Sequence, residues 1–491
     1  MQQPIRRRVF LQAGAATAGS LAAARILPGA EPAGTSPHVA DAPSRHGEAA
    51  GPSNPTGAAA QLGANTLREP AREVPIVDSA EVVVCGGGPA GVAAAIAAAR
   101  QGARTRLIEA GGCLGGTWTA GLLSWILDSG NKQGIVREIL DALKQRGAAR
   151  WFGADVGYDV EEMKRLLEQL ALSAGVRIRL HTRVVAAARE PAGHIRCVLT
   201  ESKSGREAFA GRVFVDATGD GDLAAQAGCG FDVGRAESGA CQPMSMIVLL
   251  AGLDPAQVAP MVRHLAEPAG QGNPRDNLLA ELRRAGVEPS YSRPTLFFIR
   301  DGLFCLSANH QYGIQAFDAD GITAATMAAR AELHTMIDAL RRLGGRWENL
   351  RLVATPEHIG VREGRRVHGL YTVTRDDLIR GARHDDAVCR VTFPVDVHAT
   401  DTAAGKGYSG EGVRVQPYDI PYRALVAKDL DNLLLAGRLI SGDFIAHASY
   451  RVTGNAAALG EVAGAAGALA AKSERPPREV PWSEIASAIG R

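Results

Sequence analysis

The sequence contains no Cys-X-X-Cys pair anywhere in its 491 residues. Its seven cysteines are scattered, at positions 85, 113, 197, 229, 241, 305 and 389. Without paired ligands of this kind, we do not expect an iron–sulfur cluster, a zinc ribbon or a thioredoxin-type disulfide. The odd number of cysteines also argues against a complete disulfide framework. We therefore predict no metal site.

The sequence also has little net charge and no basic block beyond its N-terminus. The formal net charge is +2, so nothing favours nucleic acid as a partner. Hydrophobic residues make up 46% and charged residues 22% of the chain, which is ordinary for a globular protein. The length allows two or three domains, or one α/β unit with a single inserted domain.

The N-terminus has the pattern of an export signal. Three arginines, at 6 to 8, precede a run rich in alanine and glycine, from Ala13 to Ala24, that is too short to span a bilayer. Arg7-Arg8 before Val9-Phe10-Leu11 favours the twin-arginine route, with an ordinary secretory signal as the alternative. This predicts a periplasmic or extracellular protein that engages the twin-arginine export machinery. The predicted segments are a signal peptide over 1–33 and a disordered linker over 34–75.

A glycine-rich turn between a predicted strand and a predicted helix follows the linker. The apolar run 82–84 leads into Gly86, Gly88 and Gly91, and an alanine-rich stretch follows. In a dinucleotide fingerprint the first glycine allows a tight turn, the second lets a pyrophosphate approach the backbone, and the third lets helix and strand pack closely. Glu109 ends the next predicted strand, 23 residues after Gly86, where a ribose-binding carboxylate belongs. The pattern predicts a dinucleotide site.

A second glycine-rich loop, from Ala110 to Gly121, comes directly after Glu109. A nicotinamide-binding domain does not need this loop, whereas a flavoprotein does, because the pyrophosphate and ribityl chain runs on past the first helix. At this point the sequence resembles the FAD-dependent oxidoreductases of the glutathione-reductase-like superfamily. Within it, the sequence is similar to the branch related to the flavin subunit of heterodisulfide reductase.

Two further stretches carry the same resemblance. The stretch 216–222, Asp-Ala-Thr-Gly-Asp-Gly-Asp, matches a family motif nearly residue for residue. A buried strand ending at Gly437-Arg438 precedes a final helix that begins near Thr453, and in the superfamily the dipole of that helix stabilises reduced flavin. The resemblance implies that FAD contacts Gly86, Gly88, Pro89, Ala90, Gly91, Glu109, Ala110, Gly115, Gly116, Thr117, Val184, Val185, Gly219, Asp220, Gly437, Arg438, Gly454 and Asn455.

Residues 230 to 425 change in character and predict an inserted domain. Strands are predicted near 244–250, 294–299 and 303–307, and a helix over 322–343. The predicted apolar face of that helix consists of Met327, Ala331, Leu333, Ile337 and Leu340. The expected fold class is α/β, with an FAD-binding Rossmann-like domain of three layers (ββα) and an inserted α+β substrate or cap domain. The predicted parts are 76–229 and 426–472 for the FAD domain, 230–425 for the insertion and 473–491 for a C-terminal tail.

Four residues are candidates for the chemistry. His447 and Arg451 match the family's His-X-X-X-Arg spacing, which implies a general base or substrate anchor and a charge stabiliser near the flavin ring; structural roles are the alternative. His310 follows a predicted strand and either faces the flavin or is a satisfied structural histidine. Arg362 opens a family motif over 362–369, with Gly364 where serine is usual. Its arginines either orient an anionic or hydroxyl-rich substrate or form a buried Arg–Glu network.

The predicted function is that of an exported FAD-dependent oxidoreductase that oxidises a small organic substrate by hydride transfer to flavin. No second dinucleotide fingerprint offers a nicotinamide site, so the expected electron acceptor is a quinone, a cytochrome, oxygen or a partner protein. The alternatives are a flavin reductase-type enzyme and an electron-transfer flavoprotein subunit that works with a partner carrying iron–sulfur clusters or haem.

Overall fold

The computed structural model describes residues 61–62, 65–153, 155–191, 193–265, 272–403 and 405–491. The predicted signal peptide over 1–33 and most of the predicted linker lie outside these residues. The chain divides into two units, Met1–Arg72 and Glu73–Arg491. In the described part of the first unit, two short strands, β1 (Gln61–Leu62) and β2 (Leu67–Arg68), pair antiparallel.

The remaining strands and helices belong to the second unit. The strands are β3 Ile76–Cys85, β4 Thr105–Ile108, β5 Trp125–Ile126, β6 Ala149–Phe152, β7 Asp155–Tyr158, β8 Arg177–Arg179, β9 Arg183–Arg189, β10 Ile195–Ser202, β11 Gly205–Asp216, β12 Phe231–Asp232, β13 Ile247–Ala251, β14 Val262–Arg263, β15 Thr295–Arg300, β16 Leu303–Ser307, β17 Arg351–Ala354, β18 Arg366–Val367, β19 Ala387–Val391, β20 Val397–His398, β21 Tyr408–Ser409, β22 Tyr418–Pro421 and β23 Leu433–Leu435. The helices are α1 Pro89–Arg100, α2 Ile135–Gln145, α3 Val160–Ser173, α4 Asp222–Gln226, α5 Pro255–Val258, α6 Pro274–Arg284, α7 Ala319–Arg342, α8 Arg375–Arg380, α9 Phe444–Tyr450, α10 Thr453–Ser473 and α11 Trp482–Ala488.

The larger sheet is built around β3, the strand that leads into the glycine fingerprint. β3 pairs in parallel with β4 on one side and with β11 on the other, while β8 and β23 extend the parallel part. Val82, Val83 and Val84 are fully buried, as expected for a central strand covered on both faces. The long β11 also forms an antiparallel meander with β10 and β9. The predicted α/β class, with a sheet assembled from separated parts of the chain, is confirmed.

Helices α1 and α10 pack against each other with their backbones in contact. A Cβ atom at Gly460 would lie 2.0 Å from the carbonyl oxygen of Ala90, and one at Gly464 would lie 2.0 Å from that of Ala94. Only residues without a side chain allow this approach. At Gly467, in contrast, the nearest atom would be 3.5 Å away. The predicted close packing therefore depends on the first two of the three glycines.

A second sheet, in the order β14-β15-β16-β13-β17, has a hydrophobic core of its own under α7. The prediction that Met327 and Ala331 face this core is wrong, because both are exposed. Instead the buried face of α7 includes Ala325, Ala329 and Leu333, which follow one another at four-residue spacing. Met327 is two residues from Ala325 and therefore points to the opposite side of the helix.

The predicted insertion over 230–425 packs in two parts. The core of the second sheet contains residues from Met244 to Ile359. Residues farther along, such as Val373, Val391 and Ile420, belong to the same core as the large sheet. The predicted domain boundaries themselves stay predictions. Over the described ranges, no helix is both long and apolar enough to cross a membrane.

Candidate active site

A cavity of about 730 Å³ lies between the two sheets of the second unit. One side is formed at the ends of β3, β4, β11 and β23, and the other by residues of β13, β15 and β16. Ligand and cofactor pockets usually have volumes of roughly 300–1,000 Å³, and α/β sheets bind ligands at the carboxyl ends of their strands. The cavity therefore has both the size and the position of a cofactor site.

The glycine fingerprint forms the wall at the end of β3. Gly86 has a φ of +98°, and a Cβ atom there would lie 2.3 Å from the carbonyl oxygen of Ala217. A Cβ atom at Gly91 would lie 1.8 Å from the carbonyl oxygen of Gly86. At Gly88, which lines the cavity, a Cβ atom would have no atom of the described residues within 4 Å. The first and third glycines thus close the turn, while the second leaves room for a bound group.

Two helix N-termini open on the cavity without a side-chain cap. Helix α1 begins with Pro89, and neither α1 nor α10 has an acidic residue in its first turn. Thr453 and Ala456, at the start of α10, line the cavity, and Thr453 Oγ1 is buried with no hydrogen-bond partner among the described residues. Uncapped helix N-termini attract anionic groups. These donors fit a pyrophosphate and the electron-rich edge of a flavin.

Glu109 joins the two glycine-rich loops beside the cavity. Its Oε1 accepts a hydrogen bond of 2.6 Å from the backbone N–H of Gly111, and its Oε2 accepts one from the backbone N–H of Gly87. Because the carboxylate also lines the cavity, it lies where ribose hydroxyl groups are bound in dinucleotide folds.

Asp216 fixes the turn that follows β11. Its Oδ1 accepts hydrogen bonds from the backbone N–H and the hydroxyl of Thr218, and its Oδ2 accepts one from the backbone N–H of Ala224. Complete burial raises the pKa of Asp216 to about 6, although these hydrogen bonds oppose the shift. Asp216 therefore ties the turn to α4 and does not reach the cavity.

Arg438 crosses from the end of β23 to the same turn. Its Nη2 donates to Asp220 Oδ1 at 2.6 Å, and its guanidinium covers Gly219, where a Cβ atom would lie 2.5 Å from Nη1. All three residues line the cavity. The glycine is required for the ion pair to lie across the turn.

The other end of the cavity is lined by charged and aromatic side chains from distant parts of the chain. His398 Nε2 lies 3.2 Å from Asp396 Oδ2, and His398 Nδ1 lies 2.9 Å from His310 Nε2. Arg451 Nη2 donates to the main-chain oxygen of Asp396 at 2.8 Å and lies 3.4 Å from its Oδ2. The ring of Tyr291 packs on both histidines, with centroid distances of 4.2 Å to His310 and 5.6 Å to His398.

Arg362 completes this cluster. Its Nη1 donates to the carbonyl of Pro243 at 2.6 Å and to Ser245 Oγ at 2.8 Å. Within the described part of the chain, its Nε and Nη2 have no acceptor and no carboxylate lies within ion-pair distance of it. Asp396 Oδ1 and the hydroxyl of Tyr291 are likewise without a partner among the described residues, and all three side chains line the cavity.

The charges of the cluster set its protonation. Burial and Arg362 lower the pKa of His398 to about 3, although Asp396 opposes the shift, and burial with Arg362 also lowers the pKa of His310. Burial by itself raises the pKa of Asp396, but its contacts with His398 and the charges of the two arginines outweigh this and lower it. Burial raises the pKa of Tyr291 to about 12. At neutral pH the histidines are uncharged, the carboxyl group is ionised and the phenol is protonated.

The sequence matches the FAD dependent oxidoreductase family over residues 81–489. The chain belongs to this family. FAD is therefore its cofactor, and the open glycine, the carboxylate of Glu109 and the two uncapped helices described above fit it.

No curated protein matches the sequence. Similar solved structures include a geranylgeranyl bacteriochlorophyll reductase-like protein from Thermoplasma acidophilum, with a TM-score of 0.43 and 13% identity over 84% of this chain and 82% of that chain. The flavin-dependent brominase Bmp2 has a TM-score of 0.44 and 12% identity over 84% and 83% of the two chains. The p-nitrophenol 4-monooxygenase PnpA from Pseudomonas putida has a TM-score of 0.42 and 11% identity over 84% of each chain. These values are too low to carry a reaction or substrate over to this family member.

Most of the residues predicted to bind FAD line the cavity, namely Gly86, Gly88, Pro89, Ala90, Glu109, Ala110, Gly116, Thr117, Val184, Gly219, Asp220, Gly437 and Arg438. Five others do not line it, namely Gly91, Gly115, Val185, Gly454 and Asn455. Gly454 packs against the backbone, since a Cβ atom there would lie 2.5 Å from the carbonyl oxygen of Leu127. The side-chain amide of Asn455 donates to the carbonyl of Tyr450 at 3.3 Å. These residues shape the wall from behind.

The structure does not bring His447, the predicted base, to the cavity. Its ring is 1% exposed within α9, lies edge-on to Tyr450 at 5.5 Å, and neither ring nitrogen has a hydrogen-bond partner among the described residues. Burial, followed by the nearby charge of Arg366, lowers the pKa of His447 far below its usual value. His310 does not line the cavity either, but it contacts His398, which does. Arg451 and Arg362 both line it, and their predicted roles in the chemistry stay predictions.

The arginines of the 362–369 motif have separate tasks. Arg366 is buried and donates to Glu363 at 2.6 Å and to the carbonyls of Gly442 and Gly234. Arg365 donates to the main-chain oxygen of Asp220 at 2.9 Å. The motif thus contains both of the alternatives that the sequence allowed, a buried Arg–Glu network and one arginine, Arg362, that faces the cavity.

Gly364 in this motif has a steric explanation. A Cβ atom there would lie 2.2 Å from Asp220 Oδ1, the oxygen that accepts from Arg438. Serine, the usual residue of the family motif, would displace that carboxylate. The backbone at 364 and the ion pair at the cavity wall therefore depend on each other.

Several residues of the site were not predicted from the sequence, among them Asp396, His398, Tyr291, Arg263 and Arg275. One signal was present, because Asp396 and His398 are two residues apart at the start of β20, a spacing that places side chains on one face of a strand. Tyr291 and Arg275 have no comparable local pattern. Their partners in the cavity are far away in the sequence.

Proposed function

We propose that the protein is an exported FAD-dependent oxidoreductase that oxidises a small organic substrate. The observation that carries the proposal is the pair of Asp396 and His398, which lines the same cavity as the glycine fingerprint and is flanked by Arg362 and Arg451. Cofactor-binding backbone and an acid–base cluster therefore share one enclosed space. Such an arrangement suits a reaction that moves a proton and an electron pair from the same molecule.

Bound FAD supplies a two-electron acceptor for a hydride that leaves a substrate carbon. The chain's own residues handle the accompanying proton. Asp396 Oδ1 has no partner among the described residues, so it is available to accept from a substrate hydroxyl or amine. As the hydride leaves, that O–H or N–H becomes strongly acidic, so its proton can pass to Asp396 Oδ1 even though the pKa of this carboxyl group is lowered. The C–H and O–H or N–H bonds break, and a C=O or C=N bond forms.

His398 and Arg451 act as positioning residues for this carboxylate. Their contacts with Oδ2 and with the main-chain oxygen leave Oδ1 as the free atom. Tyr291, with its raised pKa, remains a phenol and is suited to donate a hydrogen bond to the substrate oxygen or nitrogen.

The proposal also includes the electron acceptor. The electrons pass from the reduced flavin to a quinone, a cytochrome, oxygen or a partner protein. The motif matches at 216–222 and 362–369 support the branch related to the flavin subunit of heterodisulfide reductase.

The test is an anaerobic screen of small alcohols, amines and hydroxy acids for bleaching of the bound flavin near 450 nm (an approximate value for such cofactors). With a substrate in hand, Asp396→Asn should slow bleaching by about 10²–10⁴-fold, the usual contribution of a general base, at unchanged FAD content. Asp385→Asn, which changes an exposed carboxylate on the same stretch, serves as the control. Full bleaching rates in Asp396→Asn would contradict the proposed role.

Export is tested separately on the full chain. Arg7→Lys together with Arg8→Lys should keep the protein in the cytoplasm, because the twin-arginine pair is the feature that supports this route. Cell fractionation followed by immunodetection measures the distribution. Undiminished export of the double variant would remove the twin-arginine route and leave an ordinary secretory signal.

A further inference from the structure

The substrate end of the cavity has an excess of positive charge. Arg263, Arg275, Arg362 and Arg451 line this end, where Asp396 also lies, and Asp155 is paired with Arg263 at 3.6 Å. The two histidines of the cluster are uncharged at neutral pH, as their lowered pKa values show. Four arginines against two carboxylates leave about two positive charges unbalanced, which favours a negatively charged occupant.

Arg362 is the strongest single feature. Its side chain is half-buried and lines the cavity, and its hydrogen bonds among the described residues go from Nη1 to neutral oxygens of Pro243 and Ser245. When an occupant displaces water from the cavity, a guanidinium without a carboxylate partner loses hydration, and an anionic group on the occupant would replace it. Its Nε and Nη2, unpaired among the described residues, leave a two-donor edge of the kind that binds a carboxylate with two parallel bonds.

Arg275 repeats the pattern with a second guanidinium that lines the cavity. Its Nε donates to Thr295 Oγ1 at 3.0 Å and its Nη1 to the hydroxyl of Tyr408 at 2.8 Å, so both partners are neutral. Arg263 differs, because Asp155 lies 3.6 Å from its Nη2. The charges of Arg275 and Arg362 both oppose the rise in the pKa of Tyr291, so both lie close enough to act on its phenol.

An apolar surface lies beside the cations. The rings of Trp125 and Phe297 pack with a centroid distance of 4.7 Å, and both line the cavity together with Leu123 and Ile247. A small inorganic anion would not use this surface, whereas a carboxylate with a hydrocarbon or aromatic body would use it and the arginines at the same time.

We propose that the substrate of this cavity is an organic carboxylate, whose carboxylate group is bound by Arg362 and whose apolar body lies on Trp125 and Phe297. This inference rests on the proposed function only in calling the occupant a substrate. Arg275 contributes to the field that favours the anion. The alternative is that Arg362 neutralises the bound flavin. In that case, removing its charge would lower the affinity for FAD.

The experiment measures equilibrium binding to the FAD-loaded protein through changes in the visible flavin spectrum. The probes are butyrate, hexanoate and benzoate, each compared with its uncharged amide. At least one carboxylate should bind about tenfold or more tightly than its amide, because charge-assisted hydrogen bonds are roughly twice as strong as neutral ones. Binding should weaken at higher salt, although less than at an exposed site.

Arg362→Met retains an unbranched apolar side chain and removes the guanidinium with its charge. It should abolish the preference for carboxylate over amide while FAD affinity is unchanged. Arg275→Met should reduce the preference partly. Arg341→Met, on the exposed surface of α7, should leave it unaltered and serves as the control.

Equal binding of carboxylates and amides, or no carboxylate binding at all, would overturn the inference. So would an Arg362→Met protein that loses FAD affinity but keeps carboxylate selectivity, since Arg362 would then serve the cofactor. These results do not depend on turnover. Carboxylate selectivity without bleaching by any substrate would instead refute the proposed function and leave the anion site intact.

Discussion

The two ends of the cavity are built from different materials. At the cofactor end, backbone amides, close glycines and two helix N-termini form the wall, and Glu109 binds the loops together. At the substrate end, the wall consists of charged and aromatic side chains such as Arg362, Asp396 and Tyr291. A site formed by the backbone requires particular backbone conformations, and short sequence motifs encode these. A site formed by side chains requires only that residues distant in the sequence come together, and no short motif predicts this.

The glycines at the cofactor end are of two kinds. Some glycines are required by the fold, because a side chain would overlap the backbone of a neighbour, as at Gly91 and Gly460. Gly88 is different, because the space beside it is open to the cavity. Substitution of the first group should therefore affect folding, whereas substitution of Gly88 should affect FAD binding.

The largest expected effect is at Gly91. Gly91→Ala would bring a Cβ atom to 1.8 Å from the carbonyl oxygen of Gly86, and we expect a loss of about 3 kcal/mol in the free energy of unfolding, or failure to fold. Gly88→Ala should retain the unfolding free energy within ~0.5 kcal/mol but bind less FAD. Urea unfolding followed by circular dichroism, and the ratio of flavin to protein absorbance, measure the two effects. If both variants lost unfolding free energy and FAD content to the same extent, the distinction between the two kinds of glycine would be wrong.

An intermediate effect is expected from the buried histidines of the substrate end. The folded-state pKa of His398 is about 3, below its ordinary value of 6.5, so the unfolded chain binds the proton first as pH falls. Stability is then fully present above about pH 6.5 and is lost between pH 6.5 and 3, at up to ~1.4 kcal/mol per pH unit for one group.

Thermal unfolding across this pH range measures the slope. His398→Gln should make the slope shallower, while His334→Gln, at an exposed position of α7, should not change it. A slope that is the same in His398→Gln and in the unaltered protein would show that burial and the charge of Arg362 do not keep His398 neutral.

The smallest effect is expected on α10, away from the cavity. Gly467→Ala places a Cβ atom 3.5 Å or more from any neighbour and replaces glycine by a better helix former, so stability should stay equal or rise by up to ~1 kcal/mol. Gly460→Ala, with its contact at 2.0 Å, is the matched counterpart and should destabilise the fold strongly. Differential scanning calorimetry distinguishes the two; a loss at Gly467 like that at Gly460 would contradict the helix packing.

The cofactor end could be predicted from the sequence because each of its parts is local. The glycines at 86, 88 and 91, the acid at 109 and the turn at 216–222 each occupy a few consecutive residues with a fixed conformational task. The predicted base, His447, could not be placed in this way. It matched the family's His-X-X-X-Arg spacing, but in the structure its ring is buried in the core, and the spacing alone does not predict that orientation.

The α/β class, the FAD family and most of the cofactor wall could be predicted from the sequence alone, because backbone geometry and hydrophobic periodicity depend on residues that are close together in the chain. Only the tertiary structure decided which charged groups meet at the substrate end. The contact of His398 with His310 joins residues 88 positions apart, and the pairing of Arg451 with Asp396 joins residues 55 apart. Whether Arg362 has a counter-charge is likewise a property of the folded chain, since burial and unpaired charge arise only when distant segments pack together.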